Sequence, residues 1–217
     1  MIKAIIFDFD GTLADTVPAI RAGINLTMRA LGYPENSETD VLKHINFGAR
    51  RLIRLSLPQD LQNDEGKVDE ALALYDKMYE KTYLQTDHLY DGISEVLSTL
   101  KNRGYRMAVL SNKQDPFIVN LTSALLPGDC CTIARGQRRG APAKPDPAVP
   151  LEIASILGVM PSECAFVGDS NVDMETAKNA GMRPVGVCWG YRPPEVLLEA
   201  GAEVLARNVS DLLEIFD

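Results

Sequence analysis

Histidine is nearly absent from this chain of 217 residues, which holds only His44 and His88. Its four cysteines, Cys130, Cys131, Cys164 and Cys188, show no C-x-x-C spacing, so no familiar zinc pattern can be built from either residue type. Free, buried thiols are the expected state. No stretch approaches about 18 consecutive apolar residues, which excludes an ordinary membrane-spanning helix. The apolar run at the start is too short for a secretory signal and breaks at Asp8 and Asp10, so a soluble, cytoplasmic protein with no membrane partner is expected. Positive charge is also scarce: 22 Lys plus Arg stand against 30 Asp plus Glu, a net charge of −8, and the one basic block is Arg135 to Arg139. Nucleic acid is therefore not an expected partner.

What the chain does have is apolar content, 46%, ample for one domain with an insertion or for two small domains. Ile2, Ala4, Ile5, Ile6 and Phe7 read as a strand buried on both faces. From residue 17 to 85 the period is helical. Val17, Ile20, Ile24, Met28 and Leu31 mark one helix, Ala49 to Leu57 a second, and Val68, Leu72, Tyr75, Tyr79 and Tyr83 a longer third reaching about Leu84. After a helix with Ile93, Val96, Leu97 and Leu100 on one face, strands and helices alternate: strands at Met107–Leu110, Cys131–Ala134, Ala165–Val167 and Pro184–Cys188, helices at 117–125, 149–157 and 174–180. That alternation implies a doubly wound parallel sheet, an α/β core of Rossmann-like type. The expected division is a core of residues 1–15 and 86–217, with 16–85 as an inserted, all-helical cap able to hinge over a site and exclude water.

Chemistry-bearing residues gather at the expected carboxyl ends of these strands, where open α/β sheets bind ligands. Asp8 and Asp10 leave the first strand one residue apart, pointing roughly the same way, and Gly11 allows a sharp turn. Ser111, followed by Asn112 and Lys113, ends another strand ahead of a helix start at Asp115-Pro116, a setting suited to an anionic oxygen. Lys144 sits in Lys144-Pro145-Asp146-Pro147, a stiff segment that holds it in place. Asp169 follows the strand ending at Val167-Gly168, and Asp173 lies in the first turn of the next helix, for which Ser170 is a reasonable N-cap. Two carboxylate pairs converging on one edge need a metal or a proton to coexist, and hard oxygen ligands favour Mg²⁺ over zinc.

Asp8-Phe9-Asp10-Gly11-Thr12-Leu13 resembles the first motif of the haloacid dehalogenase superfamily of phosphatases, and the segments at Ser111, Lys144 and Gly168-Asp169 match its other motifs in order. The resemblance covers the whole chain. It implies a phosphomonoester hydrolase in which Asp8 attacks phosphorus to form an aspartyl phosphate, and Asp10 protonates the leaving oxygen and then activates water. It further implies Mg²⁺ held by Asp8, the Asp10 main-chain carbonyl and Asp169, with Asp173 in support. Gly11, Ser111, Asn112 and Lys144 would hold phosphoryl oxygens. The insertion corresponds to the family's small helical cap.

Within the superfamily the pattern looks most like the phosphoglycolate phosphatases, acting on a small phosphorylated metabolite. A 2-haloacid dehalogenase would lack Asp10. A β-phosphoglucomutase-like phosphotransferase shares both acids and the cap, and remains open with pyrophosphatase and sugar-phosphate phosphatase activity. A phosphate-sensing module without turnover is the non-enzymatic alternative, which the presence of Asp10 argues against. Monomer and homodimer are both open. Where related phosphatases tend to carry small or acidic residues, this chain has Arg135, Arg138 and Arg139, read as a solvated loop in preference to an anion-attracting mouth. In the cap, Gly48 and Arg50, at the start of the helix beginning with Ala49, are the candidates for meeting a substrate carboxylate.

Overall fold

The computed structural model describes every residue except Asp87 and Arg139, and every side chain apart from those of these two, Gln85 and Thr86. The chain divides into two compact units, one made of Met1–Asp15 with Leu89–Asp217 and the other of Thr16–His88.

The first unit is built on six parallel strands. Ala4–Phe7 (β1) is wholly buried, as its unbroken apolar sequence requires of a strand covered on both faces. Two short strands, Ala14–Asp15 (β2) and His88–Leu89 (β3), pair with each other where the chain leaves and re-enters this unit. Arg106–Gln114 (β4), Ile133–Gln137 (β5), Cys164–Gly168 (β6), Arg183–Val187 (β7) and Val204–Ala206 (β8) complete the set, and the main sheet runs β5-β4-β1-β6-β7-β8. β1 pairs with β4 on one side and with β6 on the other, Ile6 lying opposite both Ala108 and Phe166. Strand order reverses at β1, so the crevice for a ligand lies at the carboxyl ends of β1, β4 and β6.

In the second unit, Val17–Leu31 (α1) is followed by Glu38–His44 (α2), Ala49–Ser56 (α3), Glu65–Tyr79 (α4) and Tyr83–Thr86 (α5). α1 buries Ile20, Ile24 and Met28, and α4 buries Val68, Ala71, Tyr75 and Tyr79. Gly23 of α1 brings the two helices close, since a Cβ there would stand 3.2 Å from the rings of Tyr75 and Tyr79. Those two rings stack with centroids 5.4 Å apart.

The remaining helices, Ile93–Asn102 (α6), Asp115–Leu125 (α7), Ala148–Leu157 (α8), Asn171–Asn179 (α9), Pro194–Ala200 (α10) and Asp211–Ile215 (α11), belong to the first unit. Val149, Ile153, Ala154 and Leu157 of α8 and Ala177 of α9 pack on Ala4, Ile6, Ala108, Leu110 and Phe166. The alternate residues Ile5, Phe7, Met107, Val109, Ala165 and Val167 are equally buried and point to the opposite face.

Several elements depart from their sequence expectations. The single helix expected to reach Leu84 breaks after Tyr79 and resumes at Tyr83. β4 continues through Ser111, Asn112 and Lys113 to Gln114, with a shift of register against β5 after Leu110, so the strand outlasts the expected Met107–Leu110 by four residues. β5 begins at Ile133, two residues later than expected, and includes Arg135. The expectation of a solvated arginine loop is corrected accordingly. Arg135 and Arg138 both bond Glu152 of α8, at 3.4 and 2.7 Å, which fixes them to the core unit; Arg139 lies outside the described residues. The alternation also continues past Cys188 through α10, β8 and α11, where short apolar segments give little periodic signal.

Candidate active site at the carboxyl edge of the sheet

Asp8 prolongs β1 by one ladder hydrogen bond, its N–H donating to the Val167 carbonyl at 2.8 Å. Its Oδ1 accepts from the N–H of Phe9 at 2.7 Å and faces the Lys144 Nζ at 2.8 Å. Asp10 has different partners. Ser111 Oγ donates to its Oδ2 at 3.2 Å, and Lys113 Nζ pairs with its Oδ1 at 2.5 Å, both side chains of that ion pair being buried. The two acids leave the same strand end, yet each has its own lysine.

Lys144 is the most constrained of these groups. Its Nζ lies 2.8 Å from Asp8 and 2.7 Å from Asp173, and only 3% of its side chain is exposed. Its backbone is clamped at both ends by one amide: Lys144 N–H donates to Asn112 Oδ1 at 2.8 Å, and Asn112 Nδ2 donates to the Lys144 carbonyl at 3.1 Å. Burial pulls the Lys144 ammonium down, but Asp173 and Asp8 outweigh it and hold the lysine above its ordinary value, so it is charged. Asp173 in turn accepts from the N–H and hydroxyl of Ser170, at 3.1 and 2.6 Å.

Asp169 is fully buried. Tyr191 N–H donates to its Oδ2 at 2.7 Å and Thr12 Oγ1 to its Oδ1 at 3.3 Å. The segment carrying Tyr191 follows β7 and closes this side of the site, with Trp189 Nε1 donating to the Thr12 carbonyl at 3.0 Å. Two glycines permit the approach. Gly11 has φ of +80°, and a Cβ there would stand 2.5 Å from Asp169 Oδ2. At Gly190 a Cβ would stand 2.2 Å from Asp169 Cβ and 2.4 Å from the Gly11 carbonyl oxygen.

Carboxylate oxygens of Asp8, Asp169 and Asp173 lie within 4.8 Å of one another, all three residues buried. Burial, with Asp173 beside it, pushes Asp169 up to about 7. Burial and the neighbouring carboxylates also raise Asp8 well above the ordinary carboxylate value, against the opposing pull of Lys144. Such carboxyls are short of positive charge, and an all-oxygen donor set of this kind fits a hard divalent cation.

A family model described as haloacid dehalogenase-like hydrolase matches residues 5–187. The chain belongs to the haloacid dehalogenase-like hydrolase family. It is 32% identical over 218 residues to phosphoglycolate phosphatase 1 of Pseudomonas aeruginosa, covering 99% of this chain and 80% of that protein. It is likewise 32% identical to the phosphoglycolate phosphatase of Vibrio parahaemolyticus, over 99% of this chain and 96% of that one. Among solved structures, a predicted phosphoglycolate phosphatase from Haemophilus somnus superposes with a TM-score of 0.87 at 26% identity, covering 100% of this chain and 98% of that one.

Within this hydrolase fold the structure brings Asp8, Asp10, Ser111, Asn112, Lys144, Asp169 and Asp173 to one sheet edge, linked by the contacts above. Three of the expected site residues have partners within the protein. The Asn112 amide is engaged at both ends by the Lys144 main chain, so its side chain positions the lysine. The Gly11 N–H donates to the Ala14 carbonyl at 2.9 Å, so Gly11 serves through its conformation and lack of a side chain. Arg50 pairs through both terminal nitrogens with Glu65 and Asp69, at 2.6 and 2.5 Å, and so does not offer a free fork to a substrate carboxylate. Gly48 has φ of +86° and precedes α3, the turn its residue type suggests. Sequence reasoning assigned no role to Lys113, Thr12, Gly190 or Tyr191. Lys113 and Thr12 were within reach as parts of the Ser-Asn-Lys segment and of the first motif, whereas no local signal marks Gly190 or Tyr191.

Two outcomes follow from the surroundings of Asp169. Asp169 keeps its proton to about pH 7 when folded but loses it near pH 4 when unfolded, so the folded state binds more protons in that window. Stability should therefore fall as pH rises from about 4 to about 7 in the presence of a chelator and level off above that, and thermal melts of Asp169→Asn should show a clearly smaller fall. An equal fall in both proteins would remove Asp169 as its source. Gly190→Ala should displace Asp169 and so weaken any divalent-cation binding at this cluster, probed with Mg²⁺, by about tenfold or more, roughly 1.4 kcal/mol. Quenching of Trp189, the single tryptophan, provides the titration; an unchanged affinity would contradict this reading of the Gly190 contact.

Proposed function

We propose that this protein is a Mg²⁺-dependent phosphomonoester hydrolase acting on a small phosphorylated metabolite, and that phosphoglycolate is its substrate. The names of its relatives support the substrate class. The observation that carries the catalytic reading is the buried Lys144, bonded to both Asp8 and Asp173 beside Asp169. Three carboxylates less one ammonium leave two negative charges when all are ionised, which is the charge a divalent cation balances. Asp8, Asp169 and the Asp10 main-chain carbonyl would hold it, with Asp173 in support. Bound Mg²⁺ supplies the positive charge that offsets repulsion between a carboxylate and a phosphoryl group.

Asp8 attacks phosphorus in line and becomes an aspartyl phosphate while the bond to the ester oxygen breaks. Asp10, standing apart on Ser111 and Lys113, gives its proton to that leaving oxygen and then takes one from the water that attacks the aspartyl phosphate. Hydrolysis returns Asp8 as a carboxylate and releases inorganic phosphate. Ser111 Oγ and Lys144 Nζ are the side-chain donors for the equatorial oxygens, and Asn112 holds the lysine for that task. The helical unit Thr16–His88 serves as the cap, selecting the leaving group and excluding water during turnover.

Asp8→Asn should lower the rate of phosphate release from phosphoglycolate more than about a hundredfold, a barrier increase above roughly 2.7 kcal/mol, with the circular dichroism spectrum unchanged. A smaller loss would rule out Asp8 as nucleophile. Arg50→Ala should leave KM for phosphoglycolate within about twofold of the parent value, because the guanidinium is engaged by Glu65 and Asp69. A tenfold rise confined to this carboxylated ester would restore Arg50 as a specificity residue.

A further inference from the structure

All four cysteines are free thiols, and two of them are consecutive. Cys130 and Cys131 lie just ahead of β5, their Sγ atoms 3.7 Å apart and sharing a hydrogen bond. Both line a cavity of about 340 Å³, together with Val119 and Leu126 on the α7 side and Ile133 on β5. None of the carboxylates or lysines of the candidate active site lines it. The two sulfurs are also unlike each other. Their shared hydrogen bond holds the Cys130 thiol below its ordinary range against the effect of burial, with the Lys101 ammonium assisting. That same bond, together with burial, pushes Cys131 up. Cys130 is thus the better nucleophile of the two.

We propose that Cys130 and Cys131 form a peroxide-responsive dithiol, a reversible modification site separate from the phosphoryl-transfer centre. The cavity admits a small hydroperoxide to both sulfurs. The Cys130 thiolate attacks one peroxide oxygen, the O–O bond breaks, and the products are a sulfenic acid at Cys130 and hydroxide, which takes up a proton as water. The Cys131 sulfur then displaces the sulfenic oxygen, which leaves as a second water with the Cys131 proton. In sum, two thiols and one hydrogen peroxide give one disulfide and two waters. Reversibility follows from chain geometry. Consecutive Cα atoms are about 3.8 Å apart, below the roughly 4.4–6.8 Å usual for disulfides, so the bridge is strained and easily reduced. Thr132 N–H donates to the Met107 carbonyl at 2.7 Å, so ring closure acts where β5 joins β4.

Intact-mass and peptide mass spectrometry on the full chain test this. With a few equivalents of hydrogen peroxide the protein should lose about 2 Da, the loss should map to the one peptide containing Cys130 and Cys131, and dithiothreitol should restore the mass. Cys131→Ser should instead gain about 16 Da as a sulfenic acid at Cys130 trapped by dimedone, and Cys130→Ser should react several-fold more slowly. Gain of oxygen by the parent protein at the rate seen in the single variants would overturn the proposal. So would a loss mapping to Cys164 or Cys188, or full alkylation of both thiols after peroxide. Because no step involves phosphate or Mg²⁺, the result stands whatever the substrate proves to be.

Discussion

The ammonium of Lys144 between Asp8 and Asp173 is the contact on which the rest of the site depends. Buried carboxylates this close would repel one another or take up protons, and removing the cation from such a group leaves uncompensated charge in a region of low dielectric, typically costing about 3–5 kcal/mol. The fold therefore fixes the lysine by its backbone as well as by its charge. Asn112, from the end of β4, grips the Lys144 N–H and carbonyl together, so the second and third motifs act as one unit. Lys144 is in turn what allows α9 to begin with Asp173 aimed at the sheet edge.

Two carboxylates leave β1 within three residues, and the proposed reaction requires them to act differently. Their surroundings provide the difference. Asp8 faces Lys144 and the Asp169–Asp173 cluster, whereas Asp10 is held by Lys113 and Ser111. The Trp189–Tyr191 segment supports the opposite side through a main-chain N–H on Asp169 and an indole N–H on Thr12. Its central glycine is required by space, not by backbone conformation, because φ at Gly190 is not positive.

Much of this was legible in the order of residues, and the failures have identifiable causes. β1, β6 and β7 lie within a residue or two of their expected bounds because burial on both faces of a parallel sheet leaves an unbroken apolar run, and α8 does so because its apolar residues recur at helical spacing. Strand ends were less clear. β4 outlasts its apolar stretch, since Ser111 to Gln114 belong to the strand while Ser111, Asn112 and Lys113 bond groups of the site, and such polar residues carry no strand signal. β5 failed for the same reason, its Arg135 being buried in part by the pairing with Glu152. α10 and α11 are too short for a helical period to be recognised.

The sequence by itself determined the family, the acid pair on the first strand, and the residue types of a phosphoryl site, because these depend on local spacing and on order along the chain. Only the tertiary structure decided which partners each group has. Asn112 and Lys144 are 32 residues apart, and Tyr191 and Asp169 are separated by 22. Arg50 was left open by its local context until Glu65 and Asp69 were found on its guanidinium. Charge balance in a buried site is a sum over neighbours brought together by folding, and no local pattern of residues contains that sum.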